Sequence, residues 1–229
     1  MGKILILIPA RGGSKGIPNK NIKKFNGKPL IEWTIKSALE SKLADKIVVS
    51  SDSKKILNFS KKFNIDLLNR PKSLSKDNSS TESVVKHCID YYDNQFKTII
   101  LLSPTSPVRK LNVLDEMIKF FKSKKLDSSF SGSKLNDFLI WSYNKNNKRY
   151  NSINYNYKKR GVRQSRKISY VENGSIYIFK SKILLKKNNR IGGKFDIFKT
   201  KFYESFELDE KEDWKLIETI HRTYILKKN

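Results

Sequence analysis

Ile4-Leu5-Ile6-Leu7-Ile8-Pro9-Ala10-Arg11-Gly12-Gly13-Ser14-Lys15-Gly16-Ile17-Pro18-Asn19-Lys20-Asn21 decides the architecture of this chain. Five apolar residues in a row, with no polar alternation, describe a strand buried on both faces. That occurs where helices cover both sides of a parallel sheet. The strand then gives way to a loop with three glycines and three cations. Glycine lets backbone approach a ligand closely and present its N–H groups. Arg11, Lys15 and Lys20 can converge on one polyphosphate, Arg by chelating two oxygens and Lys as a point charge. The loop has neither GxxxxGK[ST] nor GxGxxG spacing, so it is neither a P-loop nor a dinucleotide fingerprint.

The same rhythm continues outward. Residues 46–51 and 98–102 read as further buried strands, and 66–68 and 128–130 as short extended pieces. Apolar residues at helical spacing predict helices over 30–42, 54–63, 81–92, 111–122 and 210–226, with Ser80 or Thr81 capping the third. Strands alternating with helices imply a three-layer α/β fold around a mostly parallel sheet. Such sheets bind ligands at the carboxyl ends of their strands. At 229 residues the chain suits a single domain. Residues 136–166 break the pattern. They are rich in Asn, Lys, Tyr and Ser, and Trp141, Tyr143, Tyr150, Tyr155 and Tyr157 suit an excursion that packs on a partner subunit.

Composition narrows the classes. The single cysteine, Cys88, excludes an internal disulfide and a cysteine metal cluster, and reads as core filler. The apolar run 4–8 is too short for a signal core or a membrane span, so a cytoplasmic protein with no membrane partner is expected. A formal charge of +26 raises nucleic-acid binding as an alternative. However, the cations are spread along the chain, which equally describes a lysine-rich surface suited to anionic substrates. His87 and His221 fall in predicted helices and read as surface or boundary residues.

Further motifs follow the strands in order. They are Asn26-Gly27-Lys28-Pro29-Leu30, Val48-Val49-Ser50-Ser51-Asp52, Asn69-Arg70-Pro71 and Pro104-Thr105-Ser106-Pro107-Val108-Arg109. Arg163-Gln164, Glu172-Asn173-Gly174-Ser175-Ile176-Tyr177 and Ser205-Phe206-Glu207-Leu208-Asp209 complete the set. Together with residues 10–21 they cover nearly the whole chain, and the chain resembles the acylneuraminate cytidylyltransferases, the CMP-sialic acid synthetase family.

That resemblance implies a nucleotide-diphospho-sugar transferase type of fold. It also implies transfer of CMP from CTP to the anomeric hydroxyl of a nine-carbon sugar acid such as N-acetylneuraminic or legionaminic acid. Pseudaminic or Kdo-like acids are the alternatives. Arg11, Lys15 and Lys20, within the loop Gly12-Gly13-Ser14, would hold the triphosphate and neutralise departing pyrophosphate. Asn21, Arg70, Ser80 and Thr81 would contact the nucleotide. Ser103, Thr105, Ser106, Arg109, Arg163, Gln164, Asn173 and Gly174 would line the sugar side, with Arg163 first and Arg109 second for the sugar carboxylate. Glu207 and Asp209 would hold magnesium, Asp209 acting in catalysis. Two apart on an extended chain, they point to one face. A homodimer, with the partner completing the sugar pocket, is also implied. The chain departs from the family pattern at Ser103, where Gln is common, at Arg166-Lys167-Ile168, at Val171, and at Glu207, where Asp is common.

Overall fold

The computed structural model describes residues 2–135, 138–162, 164 and 167–228. β1 (Ile4–Pro9) leads through the glycine loop to a small hairpin, β2 (Lys24–Phe25) and β3 (Lys28–Pro29). Then come α1 (Leu30–Leu39), β4 (Lys46–Ser51), α2 (Lys54–Ser60), β5 (Asp66–Asn69), α3 (Thr81–Tyr91), β6 (Thr98–Leu102) and α4 (Val113–Ser123). β7 (Ser128–Leu135), β8 (Trp141–Asn144), β9 (Arg149–Ser152), β10 (Ser169–Lys180), α5 (Ser181–Lys187), β11 (Phe195–Thr200) and α6 (Lys211–Tyr224) complete the order.

Seven strands form one sheet in the order β11-β7-β10-β6-β1-β4-β5. β1 sits near its centre, with Leu7 opposite both Val48 and Leu101 in parallel register. Only β10 runs against its neighbours, antiparallel to β6 and to β7. Period-two alternation sends Ile4, Ile6 and Ile8 to one face, against Ile31 and Ile35 of α1 and Met117 and Phe121 of α4. Leu5 and Leu7 face the other way, toward Val85, Cys88 and Ile89 of α3 and Leu184 of α5. The layers are therefore helix, sheet, helix, as the sequence predicts. A third cluster of Phe25, Leu30, Val108, Leu208 and Ile217 docks α6 across the hairpin.

Several expectations are corrected. The helix expected over 30–42 stops at Leu39, and the one over 210–226 spans Lys211–Tyr224. The helix over 54–63 changes to a 3-10 turn at Lys61–Phe63. His221 is not a surface residue: it is fully buried, edge-on to Phe25 and Trp33. Cys88 is buried as expected, and burial pushes its thiol up to about 12. Residues 136–166 do leave the main sheet, forming the hairpin β8–β9 on which Tyr143 and Tyr150 stack at 4.9 Å. Among the described residues, no helix is long and apolar enough to cross a membrane.

Candidate active site

A cleft of about 520 Å³ opens at the carboxyl ends of β1, β4, β5 and β6. Its central wall is the glycine loop. The loop starts by extending the ladder, with Ala10 N–H donating to Ser50 O at 2.9 Å. It is then tied down by Gly12 N–H to Asp52 Oδ1 (2.9 Å) and by Asn21 Nδ2 to Arg11 O (2.9 Å). Gly16 allows the loop to touch the segment carrying Asp209, because a Cβ there would fall on the Asp209 carbonyl. Arg11, Ser14, Lys20 and Asn21 face the cleft.

Lys20 is almost wholly buried and donates to Leu208 O and to Asp209 Oδ1, the latter at 3.2 Å. An ammonium has three donors, so one stays available to a ligand. Glu207 and Asp209 both line the cleft, while Leu208 between them enters the third core cluster. They therefore share one face, as the two-residue spacing predicts. The segment joins no strand, however, and is held instead by Leu208 N–H to Thr105 O at 2.8 Å. Burial raises the Glu207 carboxyl above the usual range, and the Asp209 charge raises it further. Ser106 Oγ donates to Glu207 Oε1 at 3.4 Å, so Ser106 supports this carboxylate from beneath.

One end of the cleft is built by Arg70, Ser80 and Thr81. Arg70 follows β5 and is buried, 3.7 Å from Asp52. Its Nε and Nη2 make no hydrogen bond among the described residues. Burial lowers its pKa, and Asp52 opposes that shift. Ser80 caps α3 by accepting from Ser83 N–H. The other end is lined by Ser103, Thr105, Gly174, Tyr177 and Arg190.

Not every expected residue reaches the cleft. Gly12 and Gly13 shape the loop from behind. Lys15 sits on the outer rim, bound to Asp77 at 2.8 Å. Arg109 is a buried strut and does not face the sugar side. Its guanidinium donates to Ser175 Oγ, Ser175 O, Thr34 Oγ1 and Ser103 O, which leaves little for a ligand. Asn173 is likewise interior, accepting from Ser131 Oγ and donating to Thr200 Oγ1. Gln164 is exposed on the excursion and does not line the cleft. Arg163 lies outside the described residues. Asp52, Asp77, Tyr177 and Arg190 carry site contacts that were given no role from sequence. For Asp52 a signal existed, since it directly follows β4.

Residues 5–229 match the cytidylyltransferase family. The pseudaminic acid cytidylyltransferase of Campylobacter jejuni (serotype O:23/36, strain 81-176) is 33% identical over 192 residues, covering 81% of this chain and 82% of that protein. The N-acylneuraminate cytidylyltransferase of Escherichia coli O18:K1:H7 is 36% identical over 121 residues, which is 53% of this chain and 29% of that protein. The solved structure of CMP:2-keto-3-deoxy-manno-octonic acid synthetase complexed with CTP superposes with a TM-score of 0.70, covering 97% of this chain and 99% of that one. At 15% identity, that likeness is one of fold. From loop to terminal helix, this chain belongs to the cytidylyltransferase family.

Proposed function

We propose that this cytidylyltransferase transfers CMP from CTP to the anomeric hydroxyl of a sialic-acid-like nonulosonic acid, releasing pyrophosphate. The observation that carries this reading is a single cleft with Arg11 and Lys20 on one wall and Glu207 and Asp209 on the other. The unpartnered donors of Arg70 close the end assigned to the cytosine. In-line attack on an α-phosphate needs little covalent help from protein; it needs positioning and charge neutralisation. Lys20, pinned by Leu208 and Asp209, offers its third N–H to a phosphate oxygen. Arg11 sits beside it for the departing pyrophosphate. Ser103 and Thr105, hydrogen-bonded to each other at 2.8 Å, supply hydroxyls on the acceptor side.

Magnesium is the proposed cofactor, held by Glu207 and Asp209. The donor set fits a hard cation, being two carboxylates whose mutual repulsion and burial a divalent ion would relieve. Among the described residues no group of three or more His, Cys, Asp or Glu is poised for a metal, so phosphate oxygens and water would complete the shell. When bound, the ion would supply electrostatic stabilisation to phosphate oxygens. We also propose a cytoplasmic homodimer. Trp141, Tyr143, Tyr150 and Tyr157 on the excursion are all exposed, which suits a second copy of this chain.

The test is pyrophosphate release with CTP and magnesium, offered N-acetylneuraminic, legionaminic, pseudaminic and Kdo acids in turn. Release with one acid, dependent on CTP and metal, is the expected result. Folded protein that binds CTP and is silent with all four would overturn the acceptor assignment. Steeply salt-dependent RNA binding without CTP turnover would favour the nucleic-acid reading.

A further inference from the structure

The strand order lays the cleft out as a line. Arg70 follows β5, and Tyr177 lies in β10, four strands away along β5-β4-β1-β6-β10. At the usual strand spacing that is about 19 Å. The glycine loop follows β1, midway. If the nucleotide base lies at Arg70 and the phosphates at the loop, the acceptor lies at the β10 end. This rests on the acceptor reading proposed above.

Arg190 occupies that end, from the segment after α5. Three features distinguish it. Its Nη1 donates to Glu82 Oε1 at 2.7 Å, in an ion pair that is mostly buried on both sides. Its guanidinium lies over the Tyr177 ring, 4.4 Å from the centroid. Its Nε is buried and has no hydrogen-bond partner among the described residues. Tyr177 is itself fixed, donating to Glu172 Oε1. Arg190 is thus held flat by a ring and a carboxylate, and it retains unused donor capacity.

We infer that Arg190 is a specificity residue that selects the acceptor by donating a hydrogen bond to the carbonyl oxygen of an acylamino substituent. The chemistry follows from Glu82. Because that carboxylate already balances the guanidinium charge, the free edge is a directed donor with little net charge to offer. Such a group suits a neutral carbonyl better than a carboxylate. A planar guanidinium stacked on a ring also presents its N–H groups in a fixed plane, which a flexible lysine would not. A site built to hydrogen-bond one substituent discriminates against analogues that lack it, since its donor is then left unpaired.

The experiment compares the sugar acid that wild-type enzyme accepts with its analogue carrying a hydroxyl in place of the acylamino group. Steady-state kcat and KM are measured for each, alongside the KM for CTP. Arg190→Met is expected to reduce the acylamino preference by about tenfold, chiefly through acceptor KM. Turnover of the hydroxyl analogue and the KM for CTP should stay near wild type, and Arg190→Lys should not restore the preference. Glu82→Gln, which leaves Arg190 in place but unties it, should lower the preference too, and it reads the same effect if Arg190→Met fails to fold. Folded variants that keep the full preference, or that raise the KM for CTP instead, would overturn the inference alone. A wild-type enzyme that uses only an acid without an acylamino group would overturn it as well. Wild-type silence with every sugar acid would remove the acceptor reading and this inference together.

Discussion

Glu207 fills the space that a side chain at Gly174 would need. A Cβ at residue 174 would fall on Glu207 Oε1 and lie 2.8 Å from its Cδ, and Gly174 has φ +63. Gly174→Ala must therefore displace the carboxylate. A misplacement of about 1 Å at a reacting centre costs roughly a hundredfold, and pyrophosphate release should fall by about that factor. The left-handed backbone adds about 1–2 kcal/mol of strain to the folded state, visible as a lower melting temperature.

Lys20→Ala and Asp209→Ala should each cut turnover by about a hundredfold or more, the scale of one lost electrostatic contact to a transition state. Single-turnover pyrophosphate release checks this, and near-normal rates in either variant would remove the assigned role.

Asp77 bridges two cations of the glycine loop, Arg11 at 3.0 Å and Lys15 at 2.8 Å. Lys15 first, then Arg11, holds its carboxyl below the usual range. A triphosphate must compete with this carboxylate for the same donors. Asp77→Asn should lower the KM for CTP by about twofold to fivefold at low ionic strength, as expected for exposed pairs. The gain should shrink as salt is added. An unchanged or higher KM would mean that Asp77 orders the loop productively.

His221 makes stability depend on pH. Burial lowers its imidazole to about 4, against 6.5 for the unperturbed side chain. Between those values the unfolded chain binds a proton that the folded chain does not, so stability falls as pH drops from 6.5 toward 4. The full effect is on the order of 3 kcal/mol. Urea midpoints across this window should show the fall, and His221→Gln should flatten that part of the curve.

Arg109→Met tests a strut rather than a contact with sugar. Losing four hydrogen bonds from a buried guanidinium should cost on the order of 3 kcal/mol in urea unfolding. A direct sugar contact would instead raise acceptor KM in a protein of normal stability.

The first half of the fold was legible because its strands are apolar throughout. Ile4–Pro9 and Thr98–Leu102 have no polar face to confuse their period. β7 was cut short at Phe130 in the sequence reading, since Ser128, Ser129, Ser131 and Ser133 are buried yet polar. They are tolerated inside because hydroxyls find local partners, as Ser133 Oγ does at Lys201 O. β10 was hidden by Asn173-Gly174, where its register to β7 shifts between Glu172 and Tyr177. Site residues next to strand ends were readable from position. Arg109 misled because its Pro-rich loop turns the side chain inward, and Arg190 gave no signal because its neighbours in sequence have no part in the cleft.

The strand order has a consequence for how the molecule is made. β6, β1, β4 and β5 are contiguous in space and use only residues 4–102, while β10, β7 and β11 use residues 128–200. The seam between β6 and β10 divides the sheet by order of synthesis. On a ribosome, the nucleotide-facing half can assemble and cover its core with α1, α2 and α3 before the rest emerges. The exposed edge of β6 then serves as the template on which β10 docks in reverse. Catalytic competence arrives last, when the segment carrying Glu207 and Asp209 closes over a loop completed some 190 residues earlier.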